Sequence, residues 1–99
     1  MESNSENKTE VKEIKVDDVV TLDKVEIGTS GKISSISGDG RIRRRIFDMG
    51  LTPGTEVYLR KRAPLGDPLE ITIRGYELTL RKNEAQWVII QVTELPERK

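Results

Sequence analysis

The chain has 99 residues, 34% of them apolar and 34% charged, which allows one domain with a modest core and polar segments outside it. Cysteine and histidine are both absent, excluding disulfides, zinc ribbons, iron–sulfur ligation, thiol nucleophiles and imidazole bases. The 17 basic and 17 acidic residues cancel in sum but not in position. Arg41, Arg43, Arg44, Arg45, Arg60, Lys61 and Arg62 form a basic middle, while Glu2, Glu6, Glu10, Glu13, Asp17 and Asp18 collect at the front.

Residues 1–15 are rich in Ser, Asn, Glu and Lys and poor in apolar side chains, so they are expected to be a disordered acidic leader. That segment lacks the apolar stretch of a signal peptide, and no run approaches the roughly 18–20 apolar residues of a membrane span. A cytoplasmic chain is therefore expected, at most peripheral at the inner membrane through a partner. The folded domain is expected over residues 16–95, with a frayed tail over 96–99.

Along the domain, Gly28 and Gly31 precede Ile33 and Ile36, whose spacing of three suits a bulged strand better than clean alternation. Ile42, Ile46 and Met49 then recur at spacings of four and three, one face of a helix. Asp39 stands near its start as a cap, and Gly50 stands where a left-handed residue ends helices. Pro53-Gly54 makes a turn into a strand carrying Val57 and Leu59.

Leu69, Ile71 and Ile73 alternate with polar residues, Gly75 intervenes, and Leu78 and Leu80 alternate in turn; this reads as an antiparallel hairpin. A helical turn or tight loop at Asn83-Glu84-Ala85 leads into a last strand with Val88, Ile90 and Val92 on one face and Trp87 and Ile89 on the other. Ile71, Ile73, Leu78, Leu80, Val88 and Ile90 are expected to face inward. About five short strands with one inserted short helix make a mainly β domain, and closing the sheet into a small SH3-like barrel covers its core face and edges economically.

The ordered set of Asp48-Met49-Gly50-Leu51-Thr52-Pro53-Gly54, Ala63-Pro64-Leu65-Gly66-Asp67-Pro68, Arg74-Gly75 and Leu78-Thr79-Leu80-Arg81-Lys82-Asn83-Glu84-Ala85 resembles the FeoA family. The match runs from about Val19 to Val92. Each motif alone is weak; in order and at compatible spacings they are specific. The resemblance implies an SH3-like barrel that works beside FeoB, the membrane ferrous-iron transporter with a cytoplasmic GTP-binding domain. It implies no catalytic residue, and the chain is expected to be a non-catalytic accessory module rather than an enzyme.

Candidate partner-binding residues are Arg41, Arg43, Arg44 and Arg45 on the helix, and Pro64, Leu65 and Asp67 in the loop after the Val57 strand. The arginines suit paired contacts with carboxylates; the competing reading is a solvated helix face. The loop would present contacts from a rigid barrel, or it is only a stiff strand connection. Trp87 would anchor a partner or cover the end of a small core. Asp17 and Asp18 would hold a hard cation only weakly, and no cofactor or stoichiometric metal site is expected. The alternative function is a small nucleic-acid-binding barrel, because Gly28-Thr29-Ser30-Gly31-Lys32-Ile33 loosely resembles a KOW-type turn. Nucleic acid is not expected as a partner, since only Phe47 stands near the arginines to stack on bases.

Overall fold

The computed structural model describes residues 13–97. Six strands form one antiparallel sheet: β1 Val19–Thr21, β2 Ser30–Ile36, β3 Glu56–Arg62, β4 Leu69–Ile73, β5 Tyr76–Leu80 and β6 Val88–Glu94, in spatial order β1-β6-β2-β3-β4-β5. Helix α1, Gly40–Asp48, joins β2 to β3, and the single turn α2, Lys82–Ala85, joins β5 to β6. The sheet bends around one core as an SH3-like barrel.

The period-2 pattern sets the inward face. Leu69, Ile71 and Ile73 of β4, Leu80 of β5 and Val88, Ile90 and Val92 of β6 are all buried in the same cluster. Leu78, expected with them, is only half-buried and packs against the cluster from β5, an edge strand. Ile46 of α1 reaches the core, with Ile42 and Met49 packed beside it. That face is built by the spacing of the apolar residues and a cap: the Ile42 N–H donates to Asp39 Oδ1 at 3.0 Å.

Bend is introduced at bulges. The β2–β6 register shifts between Ile33 and Ser35, which accounts for the spacing of three between Ile33 and Ile36. The same pair shifts again between Ser30 and Gly31, and the β3–β4 pair between Leu59 and Lys61. The β4–β5 hairpin closes on Arg74 and Gly75 with φ of 47° and 83°, the positive pair of a type I′ turn. At Gly31 two strands approach so closely that a Cβ would lie 2.8 Å from Ile90 Cδ1 and 3.0 Å from the Gln91 carbonyl oxygen.

A sixth strand joins the five read from the sequence: β1 pairs Val19, Val20 and Thr21 with Gln91, Ile90 and Ile89. The leader expected over residues 1–15 lies outside the described residues up to residue 12, but Ile14 packs on the core and Lys15 is held by its N–H to Asp18 Oδ2 at 2.9 Å. The Asp17 N–H, donating to the Val92 carbonyl at 2.7 Å, pins this entry segment to β6. Of the tail expected over 96–99, Pro96 sits against Gly28, and residues 98–99 lie outside the described residues.

Candidate functional site

The basic middle of the chain separates into three groups. Arg60 is taken up by the sheet, 2.9 Å from Glu77 and 3.9 Å from Glu70. Arg62 is a staple: one guanidinium nitrogen donates to the carbonyls of Asp23 and Val25 at 2.9 and 2.8 Å, and the other to that of Gly66 at 3.4 Å. Arg62 is therefore removed from the basic surface the sequence suggested. Arg41, Arg43 and Arg44 stand exposed on α1 with no ion pair among the described residues.

Arg45 lies between these extremes. Its guanidinium is 3.0 Å from Glu84 Oε2, with the Arg45 side chain 69% exposed and that of Glu84 17%. An ion pair this open contributes about 0–1 kcal/mol and exchanges readily. Glu84 has a second task, because its Oε1 accepts the Arg81 N–H at 2.9 Å and closes the first turn of α2.

The loop 63–68 is rigid for local reasons. The Ala63 N–H donates to the Pro68 carbonyl at 3.0 Å and the Gly66 N–H to that of Ala63 at 2.7 Å. Asp67 is a structural residue here, its Oδ1 accepting the Lys82 N–H at 2.9 Å. Leu65, 94% exposed, projects from the loop beside Pro64. Asp67 accepts from Lys82 and Arg45 pairs with Glu84, so the single turn α2 is tied both to the Leu65 loop and to the arginine helix.

Between α1 and α2 lies a cleft of about 230 Å³, lined by Ile42, Arg45, Ile46, Asn83, Glu84 and Trp87. Trp87 is half-buried and packs against the core, so it both covers the core's end and lines the cleft. Asn83 and Glu84 were read from the sequence only as part of a turn and of the family motif, not as site residues, because Arg45, which Glu84 faces, is 39 residues away along the chain.

The acidic and glycine motifs have packing explanations. Asp18 holds the Lys15 N–H, and among the described residues no three His, Cys, Asp or Glu side chains are grouped to share a metal ion. The donor set thus does not fit a resident transition metal. Anaerobic calorimetry on the isolated protein should accordingly give no one-to-one isotherm of micromolar or tighter affinity with ferrous iron or zinc; such an isotherm would overturn this prediction. Gly28, with φ of 97°, donates its N–H to the Leu59 carbonyl at 2.8 Å, so the KOW-like turn is accounted for by strand packing. No helix among the described residues is long and apolar enough to cross a membrane.

The small SH3-like barrel thus presents a basic helix, an exposed loop leucine and a shallow cleft at its surface. The chain belongs to the FeoA domain family, whose model matches residues 20–92. Among solved structures it resembles a FeoA-like protein from Clostridium acetobutylicum, with 38% identity and a TM-score of 0.75 over 82% of this chain and 94% of that one. It also resembles a zinc-complexed Stenotrophomonas maltophilia FeoA, described as an SH3 domain protein, with 28% identity and a TM-score of 0.62 over 73% of this chain and 89% of that one. Over 71 residues it is 30% identical to a Porphyromonas gingivalis fusion of Fe(2+) transport protein A with the Fe(2+) transporter FeoB. This match takes in 72% of the chain but spans only 8% of the length of that relative.

Proposed function

We propose that this chain is a non-catalytic cytoplasmic accessory module of ferrous-iron uptake. It acts by protein–protein contact with the cytoplasmic side of a FeoB-type transporter, adjusting transport or GTP turnover. The observation that carries this reading is the Porphyromonas gingivalis relative, in which a segment like this one and FeoB are parts of a single polypeptide. A fusion keeps the two parts at high local concentration; as separate chains they need a docking surface to achieve the same.

The docking surface in this reading is α1 and its surroundings. Ile42, Ile46 and Met49 commit one side of the helix to the core, leaving Arg41, Arg43 and Arg44 exposed and without an ion pair among the described residues, available to an acidic partner. Free guanidinium groups on a rigid element suit carboxylates on the facing protein, because each can make two parallel hydrogen bonds.

The experiment is calorimetry or pull-down with the soluble cytoplasmic domain of a FeoB-type transporter. Reversing Arg43 and Arg44 to Glu should leave stability within about 0.5 kcal/mol, as both are exposed. If each arginine loses an exposed pair of about 0.7 kcal/mol, affinity should fall by roughly tenfold or more. Wild-type binding should also weaken as salt is raised. Unchanged affinity in the double reversal would leave these arginines a solvated face and move the search to the Pro64–Leu65 loop.

A further inference from the structure

We infer that the cleft between α1 and α2 is an anchor pocket for one apolar side chain carried on an acidic segment of the partner, with Arg45 as its latch. The inference rests on the docking reading above and assigns that contact a location and a chemistry. The cleft is open to solvent and of mixed lining: Ile42 and Ile46 from α1 and Trp87 just before β6 supply its apolar part, and Arg45, Asn83 and Glu84 its polar part. Its 230 Å³ equals the space of roughly seven waters at about 30 Å³ each, enough for a side chain of leucine or phenylalanine size.

Charge selects what surrounds that side chain. Arg41 and Arg45 are four residues apart and so share the flank of α1 that faces α2. Glu84 occupies Arg45 from the opposite wall at 3.0 Å, in the position that a carboxylate of an incoming acidic segment would take. Exchange is easy on both sides. Arg45 is largely exposed and would keep a carboxylate partner, while Glu84 retains the Arg81 N–H as its donor. The ion pair therefore borders the open cleft in the free protein and gives way to a competitor of the same chemistry.

Trp87 is the only tryptophan in the chain, so its environment reports the cleft directly. The chain labelled with fluorotryptophan should give one fluorine resonance, and adding the soluble cytoplasmic domain of a FeoB-type transporter should shift it. Asn83→Phe, at an exposed position on the rim, should fill the mouth and weaken binding by roughly thirtyfold or more, as expected for loss of a buried anchor. Glu84→Gln keeps the acceptor for Arg81 but frees Arg45, and should tighten binding several-fold; a merely structural role for Glu84 would not. Lys32→Glu, on the exposed face of β2, should bind as wild type. If the domain binds but the resonance stays in place and Asn83→Phe and Glu84→Gln match wild type, the cleft assignment is wrong and the docking reading stands. If wild type does not bind at all, both fall. A resonance that moves with protein concentration alone, or on removal of residues 1–12, would give the cleft to a second copy or to the chain's own leader and would equally overturn the assignment.

Discussion

Replacing Ile73 by alanine should lower the unfolding free energy by about 2–5 kcal/mol, the range for truncating a large aliphatic side chain in a packed core. Ile73 is 1% exposed at the end of β4, paired across the sheet with Val57 on one side and Tyr76 on the other. It shares its face with Leu69 and Ile71, so the lost methyl groups leave a void in the common core cluster. A domain of this size has only about 5–15 kcal/mol of stability in total, so the alanine variant should show a large shift of its urea midpoint with little change in slope. Ile73→Val removes one methylene and should cost about 0.5–1.5 kcal/mol, keeping the series measurable should the alanine form unfold. A change within about 0.5 kcal/mol for alanine would mean that Ile73 faces solvent and that the register of β4 is inverted.

Arg62 should prove the most costly charged residue to replace. Its guanidinium spans three carbonyls, those of Asp23, Val25 and Gly66, and ties the turn after β1 to the far end of β3 and to the loop 63–68. Backbone acceptors that lose a charged donor in a part-buried setting are left short of partners, so Arg62→Ala should cost roughly 2–3 kcal/mol. Arg62→Lys should recover only a fraction, because an ammonium is a point donor and cannot reproduce the planar fork. Denaturant titration of both variants, with Lys61→Ala as an exposed neighbour, is the measurement. Equal stability of Arg62→Ala and Lys61→Ala would show that the staple contributes nothing.

That same residue marks where the sequence stops being legible. In β3 the alternation begun by Val57 and Leu59 points Lys61 inward, and the run Arg60-Lys61-Arg62 then looks like one basic patch. The bulge between Leu59 and Lys61 shifts the phase by one residue, leaving Lys61 exposed and turning Arg62 toward the backbone carbonyls. Unlike the bulge between Ile33 and Ile36, this one leaves no mark in the apolar spacing, because the apolar residues of β3 end at Leu59, so the patch could not be resolved beforehand. By contrast β4 and β5 were legible because they pair with each other in regular register, and β6 because Val88, Ile90 and Val92 keep period 2 on the buried face.

The strand β1 was missed for a related reason. It is three residues long, its Val19 is 61% exposed, and what makes it a strand is its ladder to β6 some 70 positions later. The helix was readable from Ile42, Ile46 and Met49, and the free arginines follow from its opposite side. The cleft was not readable, because Arg45, Glu84 and Trp87 meet only through tertiary packing. The Leu65 loop was readable as a loop, but the use of Asp67 to hold α2 depends on a contact 15 residues distant.

The position of β6 has a kinetic meaning. This last strand is not at an edge: it lies between β1 and β2 and supplies partners to both. A nascent chain that has not yet emitted it can pair β2 with β3, β3 with β4 and β4 with β5, but Val20, Ile33 and Ile36 have no strand to close on. Non-local pairing of this kind carries loop-closure entropy before any contact offsets it, so maturation is gated by the arrival of the final strand rather than by the helix or the hairpin. During synthesis the half-made domain exposes a β-sheet edge and part of its apolar interior until β6 clears the ribosome, which is the interval in which it is most open to chaperones and to aggregation.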